Sequence, residues 1–361
     1  MRDALREIDA DSVDACVTDP PYHLTNMCRN DTGLTATPYN RRNTKLGFMG
    51  KAWDGGDIAF QPDTWRAVLR VLKPGGYMVC FASTRGYHRM VCAIEDAGFI
   101  IHPMLAWIFA SGFPKATRLQ CEGTEGLRYG LQALKPAIEP ICMAQKPMIG
   151  TGTQNWQRYG TGALNIDACR VGTDGGTKGC DAGPSNGILG DGLNGSFGKP
   201  VPGLGRWPAN CIHDGSTEVE AAFAAFGEGH ARGNVTPAKR RAANGIWAEN
   251  GFAFGAGRDE PINGGDAGSA SRFFYSAKAD ASARAGSKHP TVKPTDLMRY
   301  LVRLVTPPGG TVLDPFAGSG STGLAADQLG MNAVLIERDP EYAADIERKI
   351  TEDCPLFASV T

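Results

Sequence analysis

Asp314-Pro-Phe-Ala-Gly-Ser-Gly-Ser-Thr-Gly323 is the stretch on which the fold turns. It follows a short apolar run, Thr311-Val-Leu313, and precedes a helical pattern over Ser321–Leu329, so it reads as a strand-to-helix turn. Gly318, Gly320 and Gly323 satisfy G-x-G-x-x-G, a spacing that lets backbone approach a nucleotide-like ligand and offers helix N–H groups to anionic atoms. Glu337 stands nineteen residues after Gly318, at the end of the next strand, where an acid can accept both ribose hydroxyls. The spacing fits a nucleoside-binding βαβ unit. By itself it does not choose between a nicotinamide cofactor and S-adenosylmethionine.

Around this unit the regular pattern continues. Leu297–Val305 reads as a helix before it, Ala333–Ile336 as the next strand and Glu341–Ile350 as a final helix. Only 24 residues follow Glu337, too few to complete a doubly wound sheet, so the remaining strands are expected earlier in the chain. The N-terminal part supplies them. A short helix leads into Asp14-Ala-Cys-Val-Thr18, and Gln61–Leu72 has helical spacing that ends at Lys73-Pro-Gly-Gly76. Tyr77-Met-Val-Cys-Phe81 reads as a buried strand, Tyr87–Asp96 as a helix, and Phe99–Ile101 and Ala106–Phe109 as strands. This alternation predicts an α/β fold with a mostly parallel sheet in permuted order, the cofactor half last.

Between residues 150 and 271 lie 27 of the 47 glycines, which marks a loop-rich insertion. Short apolar pieces at Ala163–Ile166 and Trp207–Ile212, with Trp156, Trp207, Trp247, Phe252 and Phe254 as anchors, argue for partial order. The expected division is 1–148, 149–271 and 272–361. Overall charge is balanced, 37 basic against 38 acidic residues, so any nucleic-acid surface must be local. Ten scattered cysteines without a C-x-x-C pair predict reduced, mostly buried thiols and no metal site. No apolar run approaches a membrane span and the N-terminus has no signal-peptide core, so a cytoplasmic location is expected.

Two further motifs carry chemistry. Asp19-Pro-Pro-Tyr22 ends the first strand. Pro20 and Pro21 hold the backbone extended and remove two N–H donors, leaving carbonyls free. Asp19 can then accept one hydrogen of an amino group and the Pro20 carbonyl the other, while Tyr22 offers a stacking face. A plain turn at a strand end would look the same in four residues. His289-Pro-Thr-Val-Lys-Pro294 is a proline-fixed loop in which Thr291 and Lys293 could meet a carboxylate, such as the methionine end of a cofactor. His289 is as readily a structural imidazole.

In this order the three motifs resemble those of the permuted, beta-group DNA amino-methyltransferases. The similarity covers roughly residues 1–145 and 272–350, and Phe48–Asp54 and Phe273–Lys278 look like segments of phage- and prophage-type members. The resemblance implies a Rossmann-like S-adenosylmethionine-dependent methyltransferase fold, circularly permuted, with an inserted target-recognition region. It implies that Asp19, Pro20, Pro21 and Tyr22 are catalytic, and that Asp314, Phe316, Ala317, Gly318, Ser319, Gly320, Thr322, Glu337, His289, Thr291 and Lys293 hold S-adenosyl-L-methionine. Relatives usually begin with a strand ending in Gly-Asp. Here Met1 falls inside the helix that follows it, so either the start is truncated or the sheet lacks an edge strand.

The implied reaction is direct transfer of the sulfonium methyl to an amino nitrogen of a flipped base in duplex DNA. Carbon methylation of cytosine would need a Pro-Cys dipeptide, and none occurs. N6 of adenine is the expected target, because relatives acting on N4 of cytosine more often carry Ser where Asp19 stands. N4-cytosine is the runner-up, and a nicotinamide-dependent oxidoreductase or a DNA-binding protein without catalysis are the readings from other classes. Residues 231–300 hold eleven Lys/Arg against six Asp/Glu. Lys239, Arg240, Arg241, Arg258, Arg272, Lys278, Arg284 and Lys288 are the candidates for DNA contact. A homodimer is expected from the resemblance alone.

Overall fold

The computed structural model describes residues 1–22, 57–172, 177–180, 197–201, 205–227, 229–230, 267–277 and 292–353. Its contacts separate two units. The first comprises Met1–Cys169, Ala209–Val219 and Tyr275–Thr361; the second comprises Arg170–Pro208 and Glu220–Phe274.

The chain begins with α1 (Arg2–Arg6), β1 (Val13–Thr18), α2 (Pro62–Val71), β2 (Leu72–Phe81) and α3 (Tyr87–Asp96). Then come β3 (Ile100–Ile101), β4 (Leu105–Ile108), the hairpin β5 (Lys115–Arg118) and β6 (Arg128–Gln132), β7 (Ile138–Gln145) and α4 (Gly152–Tyr159). The middle holds β8 (Thr177–Cys180), β9 (Phe197–Val201), β10 (Cys211–His213), α5 (Thr217–Ala224), β11 (Gly229–His230) and β12 (Ala267–Gly268). The last part runs β13 (Tyr275–Ser276), α6 (Thr295–Val305), β14 (Thr311–Asp314), α7 (Ser321–Gln328), β15 (Asn332–Leu335) and α8 (Pro340–Asp353).

In the first unit one sheet has the order β13-β10-β4-β7-β2-β1-β14-β15, with β3 beside β7. β1 lies between β2 and β14, parallel to both, and all six of its residues are buried. A strand covered on both faces is mostly apolar rather than alternating, and in Val13–Thr18 the two polar residues, Asp14 and Thr18, are buried with hydrogen-bond partners. Its side chains divide between two cores. Ala15 and Val17 join Tyr77, Val79, Phe81 and the buried face of α6. Val13 and Cys16 join Met78, Cys80, Trp65 and Met90 on the side of α2 and α3. β14 and β15, last in sequence, pair next to β1, so the permuted order expected from the motifs is present.

The C-terminal ends of β1, β2, β14 and β15 share one sheet edge, and the N-terminal end of β7 joins them because β7 runs antiparallel to β2 and β4. A switch point of this kind is where ligands bind in open α/β sheets. The opposite edge is pinned by Asp14. Its carboxylate takes Lys73 Nζ at 2.6 Å and the Thr311 backbone N–H at 2.7 Å, tying β1 to the starts of β2 and β14.

Several elements were not expected from the sequence, and those of the first unit bear on the site edge. β7 is a full strand whose apolar run, Ile141-Cys-Met-Ala144, is preceded by Pro140. α4 lies in glycine-rich sequence, capped by a reciprocal Thr151–Gln154 box and closed by a left-handed Gly160. The β5–β6 hairpin rises between Ile108 and Ile138, at the same edge as the β1 end.

In the second unit, β8 pairs with β9 and β11 with β12, both antiparallel. Arg206 donates to the carbonyls of Gly172 and Arg272 at 2.9 and 2.8 Å. The Arg170 guanidinium lies 5.1 Å over the Trp207 ring. Among the described residues seven cysteines are free, four of them buried, and no helix is long and apolar enough to cross a membrane.

Replacing Asp14 by Ala leaves a backbone N–H and a half-buried ammonium unpaired, so a loss of about 2–3 kcal/mol is expected, read as a lower urea midpoint with unchanged slope. A midpoint equal to wild type would remove Asp14 as the joint of that edge.

Candidate active site

Asp314 closes β14 with its side chain buried inside the sheet edge. Thr18 Oγ1, at the end of β1, donates to its Oδ1 at 2.6 Å, and Thr322 Oγ1, in the first turn of α7, donates to its Oδ2 at 2.6 Å. The Phe316 backbone N–H adds a third bond at 3.1 Å to Oδ1. One carboxylate therefore fixes the strand leading to Asp19, the glycine turn and the helix after it. Burial pushes its pKa up to about 6, although the three donors and the neighbouring charge of Asp19 pull in opposite directions.

The turn itself uses glycine where other residues would not fit. Gly318 and Gly320 have φ of 54° and 77°. A Cβ on Gly323 would fall 2.4 Å from Leu335 Cδ1, so its absence lets α7 lie close on β15. Lys349, buried on α8, donates to the Ser319 carbonyl at 3.0 Å and braces the turn from behind. Ala317 is buried, and Phe316 is half-buried.

Glu337 stands just beyond β15. Its Oε2 accepts the Gly318 N–H at 2.7 Å, and its Oε1 accepts those of Arg338 and Asp339 at 2.8 Å. Three of roughly four acceptor positions on a carboxylate are thus taken, which locks the group and leaves room for about one more donor. The set suits the nucleoside end of S-adenosylmethionine: a fixed acceptor for a ribose hydroxyl, the half-buried Phe316 ring and side-chain-free backbone at Gly318.

At the end of β1, Asp19 meets Lys293. The ammonium lies 2.8 Å from Asp19 Oδ2, 3.2 Å from Tyr22 OH and 3.2 Å from Glu139 Oε2 on β7. It also sits 4.7 Å over the Phe81 ring and 5.5 Å over that of Tyr22. Asp19 Oδ1 is buried and has no hydrogen-bond partner. Burial works against the Lys293 charge, but the two carboxylates outweigh it and hold its pKa above the ordinary value. The Tyr22 hydroxyl is pushed well up by burial and then by the charges of Asp19 and Glu139, so it stays protonated.

Sequence reasoning assigned Lys293 to the cofactor carboxylate; the structure places its ammonium on Asp19, Tyr22 and Glu139. Glu139 was not singled out at all, because its place depends on the direction of β7. Arg272 is described, with its guanidinium 4.3 Å over the Phe273 ring and a 2.6 Å bond to the Ser269 carbonyl. His289, Thr291, Lys239, Arg240, Arg241, Arg258, Lys278, Arg284 and Lys288 lie outside the described residues. Among the described residues no group of three His, Cys, Asp or Glu could hold a metal ion.

A family model described as DNA methylase, of the N6/N4 methyltransferase type, matches residues 13–348. Type II methyltransferase M.HindIII of Haemophilus influenzae is 22% identical over 361 aligned residues, covering 93% of this chain and 88% of that protein. Among solved structures, TTHA0409 of Thermus thermophilus in complex with S-adenosyl-L-methionine is 18% identical with a TM-score of 0.42, over 99% of this chain and 94% of that one. PvuII DNA methyltransferase, titled cytosine-N4-specific, is 15% identical with a TM-score of 0.45, over 97% and 87% of the two chains.

The Asp314 carboxyl gives a pH test. Its folded pKa of about 6 lies above its ordinary 3.8, so the stability it contributes is complete below 3.8 and is lost as pH rises through about 6. Asp314→Asn removes that titration, and its unfolding free energy should change less across this window than that of wild type, by an amount on the order of 2–3 kcal/mol. Parallel pH dependences in urea melts would show that Asp314 does not titrate there.

Proposed function

The chain belongs to the DNA methylase family, amino-methyltransferases of the N6/N4 type that use S-adenosylmethionine, and on that footing we propose that it methylates N6 of adenine in duplex DNA. The observation that carries this reading is the buried, unpartnered Asp19 Oδ1 beside a fixed nucleoside turn. A buried carboxylate oxygen without a donor is costly unless a ligand supplies one, and an exocyclic amine does.

S-adenosylmethionine, when bound, supplies an electrophilic methyl group on a sulfonium. Glu337 accepts a ribose hydroxyl, and Phe316 with the backbone of Gly318 lines the nucleoside. Asp19 Oδ1 and the Pro20 carbonyl accept the two hydrogens of the target amine and turn its lone pair towards the methyl carbon. With the methyl supplied by the bound sulfonium, the Asp19 carboxylate would take the surplus proton of the methylated nitrogen and pass it to solvent. Tyr22, kept neutral, offers its ring to the base, which must be flipped out of the duplex to reach this edge. Lys293 is assigned here to the amine site rather than to the cofactor carboxylate.

The reading gives residues 149–271 the role of target recognition, with Arg272 and the basic positions beyond the described residues as phosphate contacts. The β5–β6 hairpin is a second candidate. Arg118 and Arg128 are exposed and directly opposed across it, an arrangement that repels until an anion such as a DNA phosphate lies between them. A homodimer in the cytoplasm completes the proposal, both taken from the family resemblance.

Incubation with S-adenosylmethionine and mixed-sequence duplex DNA, followed by nucleoside analysis by mass spectrometry, should yield N6-methyladenine. N4-methylcytosine would keep the site chemistry and change the base. The absence of any methylated nucleoside would overturn the assignment.

Two variants separate the halves of the site. Asp19→Ala should abolish transfer while leaving cofactor affinity within about twofold, and Glu337→Ala should weaken that affinity by about tenfold or more. Near-normal turnover in the first, or unchanged affinity in the second, would remove that residue from its role.

A further inference from the structure

The ammonium of Lys293 is gripped from two sides. Asp19 follows β1, whereas Glu139 lies on β7, the strand running against its neighbours. Phe81, the last residue of β2, pairs with Ile141, so Glu139 sits two residues further out on the same face. Trp107 of β4 is its cross-strand partner. The Lys293, Asp19 and Glu139 side chains are 10%, 23% and 19% exposed, so solvent screens their charges little.

Two acceptors take hydrogens of the ammonium, Asp19 Oδ2 at 2.8 Å and Tyr22 OH at 3.2 Å, and Glu139 Oε2 stands 3.2 Å away on the other side as an ion-pair partner without a hydrogen bond. A lysine paired with one carboxylate can swing on its four-carbon stem, and a second carboxylate across from the first removes that freedom. With Oδ2 so engaged, Asp19 has one oxygen left open, the buried Oδ1.

We propose that Glu139 is a positioning residue for methyl transfer, holding Lys293 so that Asp19 presents Oδ1 to the target amine, and that its charge leaves the buried trio with one net negative charge facing the nitrogen that becomes cationic. This rests on the function proposed above. Two carboxylates and one ammonium sum to a single negative charge, which favours the positive charge as it passes from sulfur to nitrogen in a site poor in water. Protonating Glu139 cancels that charge. Burial raises the Glu139 pKa, Lys293 lowers it and Asp19 raises it again, leaving it above the ordinary value. Lys293, Asp19 and Tyr22 are the titratable groups that face it. Turnover should therefore fall as pH drops through the folded pKa of Glu139.

The experiment compares wild type, Glu139→Gln and Glu139→Asp in single-turnover methylation of duplex DNA between about pH 5 and 8, with cofactor affinity by calorimetry and a thermal melt for each. Glu139→Gln should lose about 10- to 100-fold in rate at neutral pH. Its cofactor affinity should stay within about twofold, and its acid limb should move to lower pH, because the carboxyl at residue 139 is gone. Glu139→Asp should keep a limb like that of wild type and an intermediate rate; if the Gln variant does not fold, this limb carries the test. Wild-type turnover with an unmoved acid limb in Glu139→Gln would overturn the inference. Equal loss of cofactor binding would overturn it too, by making Glu139 a residue of the fold. A wild-type protein inert on DNA would overturn the functional reading and this inference with it.

Discussion

Two threonine hydroxyls, one from the end of β1 and one from the first turn of α7, point at the same buried carboxylate, Asp314. The strands that bear Thr18 and Asp314 are neighbours in the sheet but nearly three hundred residues apart in sequence. Hydrogen bonds to a buried charge are stronger than ordinary ones and costly to break, so this joint fixes how far the Asp19 loop can move from the glycine turn. A methyl group passes between ligands only if both are held to a fraction of an ångström. On the proposed reading the joint supplies that constraint without touching either ligand.

Charge at the edge is arranged around that joint. Asp314 carries its charge against desolvation, which is why its pKa is pushed up to about 6. Asp19, nearby, is matched by Lys293, and Lys293 is matched again by Glu139. Glu337 is satisfied differently, by three backbone N–H groups, so it needs no cation. On the proposed reading the target side is thus built on side-chain ion pairs and the cofactor side on backbone dipoles. A substitution on one side should leave the other largely in place.

Much of this was legible in the sequence. The turn at Gly318–Gly323 announces itself because each glycine answers a local demand, and Asp19-Pro-Pro-Tyr22 because two prolines end a buried strand. The permuted order followed from where the turn falls in the chain, and the sheet bears it out. What could not be read depended on long-range pairing. Glu139 sits in Ala137-Ile-Glu-Pro140, which looks like an exposed loop until β7 is known to run antiparallel between β2 and β4. The ion pairs of Lys293 were hidden for the same reason, since its partners Asp19 and Glu139 lie far away in sequence. α4 was hidden by the glycine content around it, although Thr151-x-x-Gln154 is a capping signal at its start.

The measurement that bears most directly on this account is the turnover and cofactor affinity of Thr18→Val, which keeps the shape of the side chain and removes only its bond to Asp314. The account predicts a rate lower by about tenfold or more with cofactor affinity within about twofold, because Thr322 and the Phe316 N–H still hold the turn. Wild-type turnover, or a loss confined to cofactor binding, would contradict the claim that Asp314 joins the two halves of the site.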